Sequence, residues 1–268
     1  MLSSDRDSLK VSVHTILRGV LRFVYRERTN RLPRTLALIH TSQVFLHVEP
    51  LVTQLLAEIM PDVRIINIMD DSLLPDVMAE KKICCAVTRR MCLYLMAAEA
   101  AGADAALSLC SSLGPAIDVV RKMVRIPVIK IDDAHTERAV REAKRIGVIA
   151  TAATTLGPTV ALIKEKAALQ GKEIEVHEAL AKAAFEALMH GEKDKHDTLV
   201  LGAAQALASQ VDLILFAQAS MTRLAPAVAK VTGLTVLTSP RLAIEQTRRV
   251  LDELETSSGE GCRDLRSD

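Results

Sequence analysis

Apolar residues in this chain come in short runs that break off at polar or small residues, and a longer stretch with helical spacing follows each run. The runs at 35–40, 63–69, 103–109, 127–131, 145–150, 173–177, 212–216 and 235–238 are aliphatic or β-branched and are read as strands. Periodicity near 3.6 predicts helices in the intervals, notably over 44–60, 86–101, 134–143, 158–170, 178–189, 195–210 and 241–255. Apolar strands alternating with helices of this length indicate parallel βαβ units covered on both faces. The eight strands divide near Asp132 into four and four, and each set contains a strand-to-helix turn rich in Ser, Thr and Ala. The expected fold is therefore α/β: two pseudo-symmetric lobes, each a parallel sheet of about four strands flanked by helices, with the active site in the cleft between them. A single eight-stranded sheet or barrel is the competitor. Residues 1–34 are expected to form an N-terminal extension, 35–131 the first lobe and 132–238 the second. The helix over 239–255 is expected to pack back on the first lobe, with 256–268 a disordered tail.

Composition narrows the function classes. The chain has 268 residues, 49% hydrophobic, with a formal net charge of +1, a balance that points to neither a nucleic-acid nor a stable membrane partner. Aromatics make up 2% and Trp is absent, so base-stacking platforms are hard to build. Five cysteines, odd in number and without CxxC pairs, fit a reduced, cytoplasmic setting. The apolar stretch 11–24 is broken by Arg18 and Arg22 and is not a signal peptide. Its helical spacing suits an extension packed on its own domain or on a neighbouring subunit, and a homo-oligomer is expected. A membrane-surface helix is the alternative.

Chemistry concentrates where strands end. One apolar run leads into Cys110-Ser111-Ser112-Leu113-Gly114-Pro115: a thiol, two hydroxyls, then the start of a helix. Open α/β sheets place ligands at that edge, and the free amides of a helix N-terminus favour a thiolate. A thiolate there can take a proton from carbon or attack an electrophile. The competing reading is a small buried hydrophobe, and it is the one adopted for Cys84, Cys85 and Cys92. Thr151-Ala152-Ala153-Thr154-Thr155 offers hydroxyls and amides for a carboxylate, or simple N-capping. His40-Thr41-Ser42 and Asp70-Asp71-Ser72 end the first two strands; a structural histidine and a helix cap compete there. Asp132 and Asp133 are read as a helix cap, and 190–197 as a solvated loop rather than a metal site. The lone GxG lies in the tail at Gly259-Glu260-Gly261, leaving no dinucleotide fingerprint and no phosphate loop. Neither a cofactor nor a metal is expected.

Taken together, Ile39-His40-Thr41, Asp70-Asp71-Ser72-Leu73-Leu74, Cys110-Ser111-Ser112, Thr151-Ala152-Ala153-Thr154-Thr155 and Ala217-Gln218-Ala219-Ser220-Met221 resemble the aspartate/glutamate/hydantoin racemase superfamily. The resemblance spans about Thr35 to Glu255 and is closest to a branch with a single catalytic-type cysteine. It implies two α/β lobes, cofactor-independent chemistry and a small carboxylic-acid substrate held between the lobes. In the racemases two cysteines flank the substrate carbon. Cys110 matches the first, whereas the second position falls at Gln218. An amide does not titrate, so Gln218 cannot be a second base, but it can donate a hydrogen bond to an enolate oxygen. The expectation is a cofactor-independent isomerase that moves a proton at a carbon next to a carboxylate or carbonyl, with Cys110 as base or nucleophile. Ser111, Thr151, Thr154 and Thr155 would bind the carboxylate, Gln218 and Ser220 the enolate. His40, Thr41, Asp71 and Ser112 complete the substrate side, with His40 and Asp71 as fallback acids. A one-cysteine decarboxylase or lyase, and a non-catalytic small-carboxylate binding or sensing protein, are the alternatives.

Overall fold

All strand pairs in the computed structural model are parallel, and the strands fall into two sheets of four. The structure describes residues 33–42 and 50–260. The first sheet holds β1 (Thr35–His40), β2 (Arg64–Met69), β3 (Ala105–Ser108) and β4 (Val128–Lys130) in the order β2-β1-β3-β4. The second holds β5 (Arg145–Ala150), β6 (Glu175–Leu180), β7 (Leu213–Phe216) and β8 (Thr235–Leu237) in the equivalent order β6-β5-β7-β8. The repeated order makes β1 the counterpart of β5 and β3 the counterpart of β7. The central strands β1, β3 and β7 are buried throughout, which explains their unbroken apolar runs, whereas the edge strands β2 and β6 are partly exposed.

Helices cover both faces of each sheet. Against one face of the first sheet lie α1 (Leu51–Ile59) and α10 (Ser239–Glu260), with Leu55, Leu56, Ile244 and Leu251 packed on Leu36, Leu38 and Leu107. The other face carries α2 (Leu73–Glu80), α3 (Cys85–Ala100) and α4 (Gly114–Val120), with Val77, Met91, Leu95 and Ile117 packed on Ala37, Ile39 and Ala106. In the second sheet, α5 (Asp133–Glu142) and α6 (Ala153–Leu169) pack Val140, Val160 and Ile163 on Ile146, Val148 and Leu215. Opposite them stand α7 (Lys182–Met189), α8 (Lys193–Leu207) and α9 (Ala225–Thr232), whose Ala184, Val200, Ala204 and Val228 meet Ile149, Ile214 and Phe216. Each fully buried aliphatic side chain contributes roughly 1.5–3 kcal/mol. The lobes also exchange helices. Helix α5 follows the last strand of the first sheet yet packs on the second, and α10 follows the last strand of the second yet packs on the first.

Several boundaries differ from the sequence reading. β6 runs to Leu180, where a helix was expected from residue 178, because it pairs with β5 over its full length, from Arg145↔Glu175 to Ala150↔Leu180. That ladder outweighs the helix preference of Glu-Ala-Leu. Helix α6 begins at Ala153, which places Pro158 in its second turn rather than its first, at the loss of one ladder bond. The 190–197 stretch is not a solvated loop throughout: α8 starts at Lys193, and His196 is buried and bonded through Nδ1 to Asp197 at 2.8 Å. Helix α10 continues through Glu260, beyond the expected start of the tail. The expected extension up to residue 32, the opening of the 44–60 helix, and the tail from 261 with Cys262 lie outside the described residues. No helix among the described residues is long and apolar enough to cross a membrane.

Candidate active site

Cys110 lies two residues beyond β3, and Gln218 lies two residues beyond β7. Both have extended backbone, φ −137° and ψ 110° at Cys110 against φ −128° and ψ 128° at Gln218, and each enters a short 3-10 helix (Ser111–Leu113 and Ala219–Leu224). The correspondence extends to their partners. Thr41, just after β1, turns its hydroxyl to the Cys110 sulfur. Thr151, just after β5, donates its hydroxyl to Gln218 Oε1 at 3.0 Å. The Gln218 oxygen also accepts the backbone N–H groups of Thr151 (2.6 Å) and Ala152 (3.1 Å). Two backbone donors at one end fix the amide orientation, so the Nε2 hydrogens point the other way, and no described residue accepts them.

This arrangement corrects two expectations. Thr151 and the first amide after it are engaged with Gln218 rather than open to a carboxylate. Thr155 donates to the Ala152 carbonyl at 2.8 Å, a bond internal to the start of α6. Thr154 and Ser112 meet across the lobes at 3.2 Å between hydroxyl oxygens, joining the turn after β3 to the turn that opens α6. Ser111 and Ser112 are buried beside Cys110, and Ser220 is half-buried beside Gln218.

The sulfur is not held as a resting thiolate, as the helix-terminus argument predicted. Burial pushes the Cys110 thiol above its ordinary value, and the Asp132 charge acts in the same direction. The Thr41 hydroxyl and the amides of Leu113 and Ser112 oppose this, but more weakly. His40 is buried and neutral; burial lowers its pKa, and a 2.9 Å bond from Nε2 to Asn67 Oδ1 leaves Nδ1 without a partner. The second-strand turn is largely structural. Burial favours a neutral Asp70, but hydrogen bonds from Ser72 and Tyr94 and the Arg90 charge together hold it below the usual carboxylate range. Asp71, the expected substrate contact, is exposed.

Asp132 stands at the N-cap position, as expected. It precedes α5, but its side chain makes no capping hydrogen bond, it is 1% exposed, and Oδ1 has no partner. Asp133 instead accepts the Lys130 N–H at 3.1 Å. Burial pushes Asp132 up to about 7, against the pull of Lys130. Ser108↔Lys130 is the last printed pair between β3 and β4, and Ile131 N–H continues the ladder to Ser108 at 2.9 Å. Counted two residues further, that register puts Asp132 and Cys110 at the same carboxyl edge of the sheet, and the Asp132 charge acts on the sulfur. A cavity of about 80 Å³ adjoins it, lined by Asp118, Lys130, Asp132, Pro158 and Glu165 among others. Buried Lys130 spans this region, 2.9 Å from Asp118 and 4.0 Å from Asp133, and Lys166 reaches Asp133 at 3.2 Å. His135, fully buried, is pushed down to about 4 and is neutral.

Two comparisons with known proteins bear on this geometry. The structure resembles a glutamate racemase from Francisella tularensis subsp. tularensis SCHU S4 in complex with D-glutamate (TM-score 0.62, 18% identity, 83% of this chain and 82% of that one). It also resembles an allantoin racemase from Klebsiella pneumoniae (TM-score 0.58, 16% identity, 83% of this chain and 89% of that one) and the Picrophilus torridus aspartate racemase (TM-score 0.56, 13% identity, 80% of this chain and 94% of that one). These likenesses show the fold. No functionally curated protein matches the sequence. The sequence of residues 46–247 matches the family described as Asp/Glu/Hydantoin racemase, three quarters of the chain, and the protein belongs to that family.

Proposed function

We propose that the protein is a cofactor-independent isomerase that moves a proton at a carbon next to the carboxylate or carbonyl of a small acid, with Cys110 as the base. Family membership supports an isomerase. The observation that carries the mechanism is the matched pair at the strand ends: a thiol faced by a hydroxyl and two amides, and opposite it in the repeat an amide whose Nε2 is uncommitted. Deprotonation of the substrate carbon by the Cys110 thiolate places negative charge on the adjoining oxygen. The Gln218 Nε2 donor can stabilise that enolate, an effect of order 3 kcal/mol where such a donor is well placed. Thr151 and Ala152 hold the amide in orientation, so its donor needs no reorganisation. Gln218 cannot return a proton, and the chemistry is therefore built around one thiol rather than two.

The test is a panel of small acids in heavy water, beginning with glutamate, aspartate and allantoin because the structural neighbours carry those names. Deuterium should enter at the carbon beside the carbonyl for at least one compound. Cys110→Ala should abolish that incorporation while leaving the circular dichroism spectrum unchanged. Carbon dioxide release in place of exchange would make the enzyme a decarboxylase. Binding with neither exchange nor release, or exchange that survives in Cys110→Ala, would overturn the proposal.

A further inference from the structure

We propose that Asp132 controls the ionisation of Cys110, the two forming a buried pair that shares one proton. The inference rests on the reading of Cys110 as an acid/base group. Three observations support it independently of any titration value. The adjacent strands β3 and β4 end in register, so Cys110 and Asp132 each lie two residues past the last pair, Ser108↔Lys130, at the same sheet edge, and the Asp132 charge acts on the sulfur. The Asp132 side chain makes no capping hydrogen bond at the helix start it was expected to cap. Its Oδ1 is buried and unpartnered, and the residue lines a cavity of about 80 Å³, large enough for a water molecule. Buried carboxylate oxygens without partners are rare and each calls for an explanation.

The step balances within the pair. The S–H bond of Cys110 breaks, its electron pair stays on sulfur, and an O–H bond forms on the Asp132 carboxylate. One negative charge moves from oxygen to sulfur, and the net charge of the buried site does not change. A thiolate thus becomes available without a proton leaving for solvent, which answers the difficulty that burial keeps the resting thiol protonated. The surrounding groups fix where the carboxylate titrates. Lys130 on β4 favours its charged form, while Asp133 on α5 and Asp118 on α4 disfavour it. Lys130 is itself committed to Asp118, Lys166 of α6 to Asp133, and Glu165 of α6 shares the cavity wall; His135 on α5 is neutral. The carboxylate consequently titrates near neutrality, in the range where proton exchange with a thiol is least costly.

Alkylation tests the pair without any substrate. Rates of iodoacetamide reaction at Cys110, resolved by peptide mass spectrometry, are to be followed from pH 5.5 to 10 in the wild type and in Asp132→Asn. In the wild type the logarithm of the rate should climb with a slope well below one through neutrality, because each carboxylate that ionises makes the thiol harder to ionise. Asp132→Asn should restore a slope of one and react about tenfold faster at pH 8, equivalent to one pH unit. Superimposable profiles would overturn the proposal. If the variant does not fold, carboxyl ¹³C titration of the wild type serves instead. The Asp132 carbon should show two inflections, the second absent in Cys110→Ser, and a single inflection in the wild type would be the adverse result. Failure of the substrate panel leaves both readouts intact, so the two proposals fail separately.

Discussion

At the scale of single residues, the Gln218 side-chain oxygen is held by three donors, and the amide does not titrate. Gln218→Ala would leave two amides and a hydroxyl unpaired, a cost of about 1–3 kcal/mol, visible as a fall in melting temperature of roughly 2–4 °C per kcal/mol. Gln218→Glu should keep the fold at pH 7, since a carboxylate satisfies the same donors, and should lose stability as pH falls through its depressed pKa. Asp132 gives the opposite sign. Its folded value of about 7 stands above an unfolded value near 3.9, so its contribution to stability is complete below that unfolded value and is lost as pH rises through 7. Melting of Asp132→Asn minus wild type should therefore become more positive between pH 5 and pH 8. His135 acts in the reverse direction over about 4 to 6.5, but it does so in both proteins and cancels in the difference. The place of Cys110 just past a strand was legible because a thiol followed by two hydroxyls ends an apolar run. Asp132 was not, because Asp-Asp before a helix reads equally well as a cap. Only the packing of β3, β4 and α6 decides that Asp133 bonds the backbone while Asp132 turns inward.

At the scale of elements, strands buried on both faces were readable almost to the residue, as β1 and β5 show. Edge strands were harder. The local preference of Glu178-Ala179-Leu180 is helical, and the partner that overrides it lies some 30 residues earlier in β5. Short helices such as α2 and α9 carry too few turns for their periodicity to stand out. Their ends are better marked than their bodies. Helix α9 stops at Gly233, which has φ +72°, a conformation that other residues adopt at a cost. No atom lies close to a Cβ built there, so Gly233→Ala probes backbone strain alone. It should destabilise the protein by about 1 kcal/mol in urea titration with an unchanged m-value.

At the scale of the whole molecule, the exchange of helices matters more than the two-sheet division. The lobes repeat the same strand order, and each donates its final helix to the other: α5 closes the second core and α10 the first. These two helices also touch one another, so neither core is complete without chain from the opposite half. The turns bearing Cys110 and the start of α6 are thereby held in contact, as the Ser112–Thr154 hydroxyl pair shows. The proposed site, which draws on both halves, needs such a device, because proton transfer tolerates little misplacement of the groups involved. If the exchange couples the lobes, damage to one core must be felt in both. Leu251, 1% exposed on α10, packs in the first core although its helix follows the second sheet. Leu251→Ala should cost about 2–5 kcal/mol. Urea unfolding should remain a single transition, and hydrogen exchange should accelerate equally in β1 and β7. Two transitions, or exchange that accelerates in β1 alone, would show that the lobes unfold independently and that the exchanged helices do not bind them into one cooperative unit.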